Sequence, residues 1–108
     1  MDGESLTLVN RDYTIHAIRP CTMEKGKKMA KLRLTSPPPD LIGRLAAAGA
    51  FDEIKPFPAM GMATARLGGK HILIFSSGEV TIRAADDEDD VLKTAKLILA
   101  LIRTSGKT

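Results

Sequence analysis

Met60-Gly-Met-Ala-Thr-Ala-Arg-Leu-Gly-Gly-Lys-His-Ile-Leu-Ile-Phe-Ser-Ser-Gly-Glu-Val-Thr-Ile82 decides the fold. Met60–Ala65 and His71–Phe75 read as strands, and Arg66-Leu-Gly-Gly-Lys70 joins them. A Gly-Gly pair is the turn chemistry of a tight hairpin, because both central residues take positive φ. Ser76-Ser-Gly-Glu79 supplies a second turn, and Val80-Thr-Ile82 a further strand. Hairpin strands this closely spaced predict an antiparallel sheet. Met60 and Met62 are two apart, which places both on one side of their strand.

The pattern extends toward the N-terminus. Leu6–Val9 and Tyr13–Ile18 alternate as short strands, with Asn10-Arg-Asp12 as turn material between them. Arg19–Met29 contains Pro20 and Gly26 and reads as a loop. Ala30-Lys-Leu-Arg-Leu-Thr35 alternates cleanly, with Leu32 and Leu34 on one face and Lys31 and Arg33 on the other. Ser36-Pro-Pro-Pro-Asp40 then breaks the strand and prepares a helix start, where proline is tolerated. Leu41, Ile42, Leu45 and Ala48 recur at helical spacing and Gly49 is a stop, which predicts a helix over 40–48. Phe51–Lys55 reads as a brief strand.

The last segment is the most regular. Val91, Leu92, Ala95, Ile98, Leu99 and Ile102 form one apolar stripe, widened by Leu97 and Leu101. Asp86-Asp-Glu-Asp-Asp90 precedes it, where the positive end of a helix dipole favours acids. Arg103 and Lys107 follow at the negative end. The five acids therefore have a local structural reason, and as consecutive residues they splay around a helix instead of converging on a metal.

The chain has 108 residues, enough for one domain with its own core. A single Cys21 excludes an intramolecular disulfide and is too little for a cysteine-rich zinc or iron–sulfur centre. An unpaired thiol fits a reducing compartment. No apolar run approaches the ~20 residues of a membrane span, and Met-Asp-Gly-Glu lacks the features of a signal peptide. The expectation is a soluble, cytoplasmic domain with no membrane partner. Net charge is +3, from 16 Lys and Arg against 13 Asp and Glu. The basic residues concentrate between Arg11 and Arg33, densest over Lys25-Gly-Lys-Lys-Met-Ala-Lys-Leu-Arg33. Such a stretch either solvates a loop or contacts phosphates by counterion release.

Nothing in the sequence forms a catalytic constellation. His16 and His71 lie in expected strands, and Cys21 is separated from His16 by Pro20. Ser76 and Ser77 lie in a turn outside any Gly-x-Ser-x-Gly context. Gly68-Gly-Lys70 joins two strands and lacks the spacing and the helix of a phosphate loop. A non-enzymatic protein without cofactor or metal is expected.

Ile74-Phe-Ser-Ser-Gly78, between strands and ahead of an acid-opened helix, resembles one repeat of the TATA-box-binding protein (TBP) family. The order strand 30–35, helix 40–48, strands 51–55, 59–65, 70–76 and 79–84, and helix 87–103 is similar to one such repeat over about residues 30–103. The resemblance implies an α+β fold: a curved antiparallel sheet with two helices packed on one face, a half-saddle. Residues 1–29 have no counterpart and would add an N-terminal hairpin or extension, ahead of a domain over 30–104 and a tail over 105–108. In the family, phenylalanines on the concave sheet wedge between minor-groove base steps. Phe75 falls on one such position, and Phe57 on the other if one residue is inserted in the Gly-Gly hairpin. The chain departs from the family in carrying one repeat instead of two, Glu79 after Ser-Ser-Gly, Thr81 and Arg83 on the next strand, and Asp86 beyond it. Ile15-His-Ala-Ile-Arg-Pro-Cys21 with Ala84–Asp90 also resembles an accessory TBP-like domain appended to small archaeal iron–sulfur proteins, whose cluster cysteines are absent here.

Two functions follow as expectations. One is a protein-interaction or assembly module, homodimeric or paired with another protein, contacting its partner through Phe57, Met62, Phe75, Thr81 and Arg83 on the sheet face. The other is DNA binding by the concave sheet of a dimer, with Lys25, Lys27, Lys28, Lys31, Arg33, Arg66 and Lys70 on phosphates or on an acidic partner.

Overall fold

Alternating apolar residues become strands here wherever one face has helices to bury against. The computed structural model describes residues 6–9, 13–20 and 26–105. In chain order the elements are β1 (Leu6–Val9), β2 (Tyr13–Pro20), β3 (Lys28–Leu34), α1 (Leu41–Ala48), β4 (Glu53–Phe57), a single 3-10 turn (Pro58–Met60), β5 (Met62–Leu67), β6 (Lys70–Phe75), β7 (Glu79–Ala85) and α2 (Glu88–Ser105). Among the described residues the strands form one open, curved sheet in the order β1-β2-β3-β7-β6-β5-β4, with every neighbouring pair antiparallel. The fold is α+β, as the sequence predicts.

Both helices cover one face of this sheet. Ala30, Leu32 and Leu34 of β3, Ile72 and Ile74 of β6, and Val80 and Ile82 of β7 are buried there. They share one core with Leu41 and Leu45 of α1 and Val91, Ala95, Ile98 and Ile102 of α2. Burying each branched aliphatic side chain contributes about 1.5–3 kcal/mol, so this seam holds the two layers together. β1 and β2 extend the sheet beside β3, and Tyr13, Ile15 and Ile18 join the same core. The helices lie against each other, and Arg44 of α1 donates from Nη1 to the Ile102 carbonyl at 3.1 Å, satisfying an acceptor near the end of α2.

Several boundaries differ from the sequence reading. β2 runs on to Pro20 and β3 begins at Lys28, so Arg19, Pro20, Lys28 and Met29, expected in a loop, are paired backbone. β4 lies two residues later than expected and includes Pro56, which an edge strand tolerates. Met60 is not on a strand beside Met62. Pro58 opens a helical turn, and Gly61 closes it at φ 63 with its N–H donating to the Pro58 carbonyl at 3.1 Å. Asp40 precedes α1 without capping it, because its carboxylate accepts from Arg44 Nε at 2.8 Å.

The Gly-Gly hairpin forms as read. Gly68 and Gly69 have φ of 55 and 85, and Leu67 pairs with Lys70. Asp52 fastens this turn from below, accepting the Gly68 N–H at 2.8 Å. At the other end of β7 the register with β3 shifts. Lys28 lies opposite Ala85 and Ala30 opposite Ile82, so Met29 alone faces Arg83 and Ala84. Ala84 takes φ 63, and this β-bulge delivers both Ala84 and Ala85 to the buried side.

Candidate binding face of the sheet

With both helices on one face, the other face of the sheet is open, and strand pairing fixes what it presents. Phe57 of β4 lies opposite Met62 of β5, and Met62 lies opposite Phe75 of β6. These three apolar side chains therefore form a row across three strands. The neighbouring β7 and β3 positions on this face are Glu79 and Arg33, which are also opposite each other. One pleat along run Lys55, Thr64, Leu73, Thr81 and Lys31. A third row is Glu53, Arg66, His71 and Arg83.

Phe57, Met62, Phe75, Thr81 and Arg83 are all on this open face. Phe57 is 41% exposed and Met60, at the adjoining turn, 69%; they are the exposed large hydrophobic residues among those described. Met62 and Phe75 are half-buried. Exposed apolar side chains gathered at one corner are more informative than the same residues scattered.

The basic residues separate. Lys31, Arg33 and Arg66 reach the open face and are exposed. Arg33 donates to Glu79 at 2.8 Å, so the acid that departs from the TBP pattern is occupied by a neighbour. Lys27 pairs with Asp86 at 2.6 Å, beyond the end of the sheet. Lys28 stands at the same end, opposite Ala85 and Pro20. Lys70 alternates with His71 and so shares the helix-covered face with Ile72. Only 9% exposed, it donates to Asp90 at 3.1 Å. Lys25 and Cys21 lie outside the described residues.

Sequence reasoning missed Lys55, Thr64, His71 and Leu73 on this face. The period-two alternation of β5 and β6 carried that signal for Thr64, His71 and Leu73. Lys55 lay within the brief strand read over 51–55, but that reading assigned it to neither face. The open face thus carries Lys31, Arg33, Lys55, Arg66 and Arg83 against the carboxylates of Glu53 and Glu79.

Two hollows shape this face. One, of about 410 Å³, is bounded by Glu53, Lys55, Thr64, Arg66, His71 and Arg83. The other, of about 570 Å³, lies toward β3 and is bounded by Met29, Lys31, Arg33, Phe75, Glu79 and Thr81. Leu73 and Arg83 line both.

At the opposite layer, the acids before α2 form a cap. Asp87 Oδ1 accepts the Asp90 N–H at 2.8 Å, and Asp90 Oδ2 accepts the Asp86 N–H at 2.9 Å. Asp87 thus caps the first turn of α2, while Asp90 reaches back one residue farther, to Asp86. Burial pushes the Asp90 carboxyl up, but the Asp86 N–H, Lys70 and Lys93 outweigh it and hold the group below its ordinary range. Among the described residues no group of three or more His, Cys, Asp or Glu side chains is placed to hold a metal ion, and no helix is long and apolar enough to cross a membrane. Compared with protein-family models, with curated proteins and with solved structures, the chain matches none.

Proposed function

We propose that this protein is a non-enzymatic interaction module that assembles as a homodimer through the apolar corner of its open sheet face. The observation that carries this reading is the cross-strand row Phe57–Met62–Phe75 with Met60 exposed beside it. Helices cover one face of the sheet, and burying the apolar corner of the other gains about 25 cal/mol per Å² removed from water. Pro56 supports contact through the face instead of the edge. It deprives the edge strand β4 of a backbone donor, which blunts strand-to-strand pairing between molecules. The other edge is the four-residue strand β1, too short to offer much pairing length. Sedimentation of the full chain tests the reading. A dimer that Phe57→Ser converts to monomer supports it, and a strict monomer at high concentration overturns it.

A second reading is DNA binding by the paired concave sheets, with Phe57 and Phe75 as wedges. It is favoured by the five cations against two carboxylates on the open face and by the resemblance of Ile74–Gly78 to a TBP repeat. It requires duplex affinity that falls steeply with salt and DNA bending that Phe75→Ala abolishes.

A further inference from the structure

We propose that two copies of the chain interlock, the apolar knob at the β4 corner of one open face seating in the 570 Å³ hollow on the open face of the other. This rests on the homodimer reading and assigns the surface that receives Phe57 and Met60.

The knob has a local origin. Pro56-Phe-Pro-Ala-Met60 are five consecutive apolar residues, and all five are exposed. Pro56 and Pro58 fix their own φ, which leaves little backbone freedom to lose. Gly61 closes the turn by donating its N–H to the Pro58 carbonyl at 3.1 Å, and its own carbonyl accepts the Ser76 N–H at 2.8 Å. The knob is thereby tied to the end of β6. A segment already held in one shape costs little entropy to bind.

The hollow lies on the same face. Met29, Leu73, Phe75 and Thr81 line it and are half-buried, so apolar surface there still faces water. Phe75 also ends the row that starts at Phe57 and passes through Met62, which joins knob and hollow in one apolar band. Phe57, Met60 and Met62 line neither hollow of this face. The corner is therefore a rim beside a dip. Two such faces do not meet flat; they close only if each rim enters the other's dip.

The spacing lets both insertions occur at once. β4 and β7 are three strands apart, about 14 Å at the usual strand separation. A two-fold axis between β5 and β6, parallel to the strands, sets each β4 over the β7 of the other copy. Such an isologous pair uses both knobs and both hollows and is closed. A knob seated without the two-fold would leave a free knob and a free hollow, which add further copies without end.

The test is cross-linking of whole chains that carry Cys21→Ser, so that no native thiol remains. Phe57→Cys chains and isotope-labelled Thr81→Cys chains are mixed, treated with a short bis-maleimide and weighed by mass spectrometry. The expected main product joins position 57 of one chain to position 81 of the other. Thr81→Trp fills the hollow and leaves the knob untouched, so it should weaken association by about tenfold or more in sedimentation. Its melting temperature shows whether it is folded, and cross-linking decides the matter if it is not. Self-linked Phe57→Cys chains as the main product overturn the pairing, because knob then meets knob. A folded Thr81→Trp that dimerises as tightly as wild type also overturns it. In both cases the wild-type chain is a dimer and the homodimer reading stands. A wild-type monomer overturns that reading and this pairing together. So does duplex DNA that binds the monomer and is lost with Thr81→Trp, which gives the hollow to nucleic acid.

Discussion

Lys70 Nζ lies 3.1 Å from Asp90 Oδ1, with the two side chains only 11% and 21% exposed. A residue that follows a surface hairpin turn is thereby tied to the first turn of α2. Exposed ion pairs contribute about 0.2–1 kcal/mol, whereas breaking a fully buried pair costs about 3–5 kcal/mol. For this mostly buried pair, Lys70→Met and Asp90→Asn should each destabilise by about 1–2 kcal/mol. The double variant should lose less than the sum, which urea unfolding of all four proteins measures.

The same carboxylate sets an acid limit. Its folded pKa is depressed, so its contribution is fully present above the ordinary aspartate value of about 3.9 and is lost as pH falls below that value through the folded one. Wild-type stability should therefore drop over this acid window more steeply than that of Asp90→Asn. Equal slopes in acid unfolding curves would remove Asp90 as a source of acid sensitivity.

Asp87 caps α2 through its bond to the Asp90 N–H. Asp87→Ala should cost about 1 kcal/mol, the usual loss of an N-cap oxygen. Asp89 makes an exposed pair with Lys93 at 3.3 Å, so Asp89→Asn should cost about 0.3–0.5 kcal/mol. Thermal melts of the two variants separate a cap from a solvated charge.

Gly78 has φ 102, and a Cβ there would lie 2.9 Å from Pro37 Cγ. The proline ring cannot swing away as a flexible chain end would. Gly78→Ala therefore combines strain with overlap and should destabilise by about 2 kcal/mol or more. At Gly49, with φ 69 and open space around the position, alanine should cost only the ~1–2 kcal/mol of the left-handed backbone. Similar melting temperatures for the two variants would show that the Pro37 contact yields easily.

Phe57 is half solvent-exposed at an edge strand, so Phe57→Ser should change monomer stability by less than about 0.5 kcal/mol. Its effect should appear in association instead. Matched melts and sedimentation runs at low concentration resolve the two.

Much of the architecture was legible because its causes are local. Gly68-Gly69 specifies a hairpin through positive φ, and the stripe from Val91 to Ile102 specifies a helix with a buried side. Alternation in β3 assigned Leu32 and Leu34 to one face and Lys31 and Arg33 to the other, as found. Errors arose where a local signal had more than one outcome. Met60 carried a strand-like spacing that Pro58 and Gly61 overrode, and the brief strand read over 51–55 runs on through Pro56 to Phe57. The run of lysines and arginines up to Arg33 read as one basic stretch, yet Lys27 meets Asp86 while Lys31 and Arg33 lie on the open face.

By itself, the order of residues determined the fold class, the hairpin turns and which side chains share a strand face, because turn geometry and period-two alternation act over a few residues. The two turns after β5 and β6 already made those strands hairpin neighbours; only the tertiary structure decided the other pairings and the register across the whole sheet. Pairing β4 with β5, β5 with β6 and β6 with β7 aligned Phe57 with Met62 and Phe75, and Arg66 with His71 and Arg83. Packing likewise turned Lys70 toward Asp90. Those relationships depend on cross-strand register and on burial against distant helices, neither of which a local pattern contains.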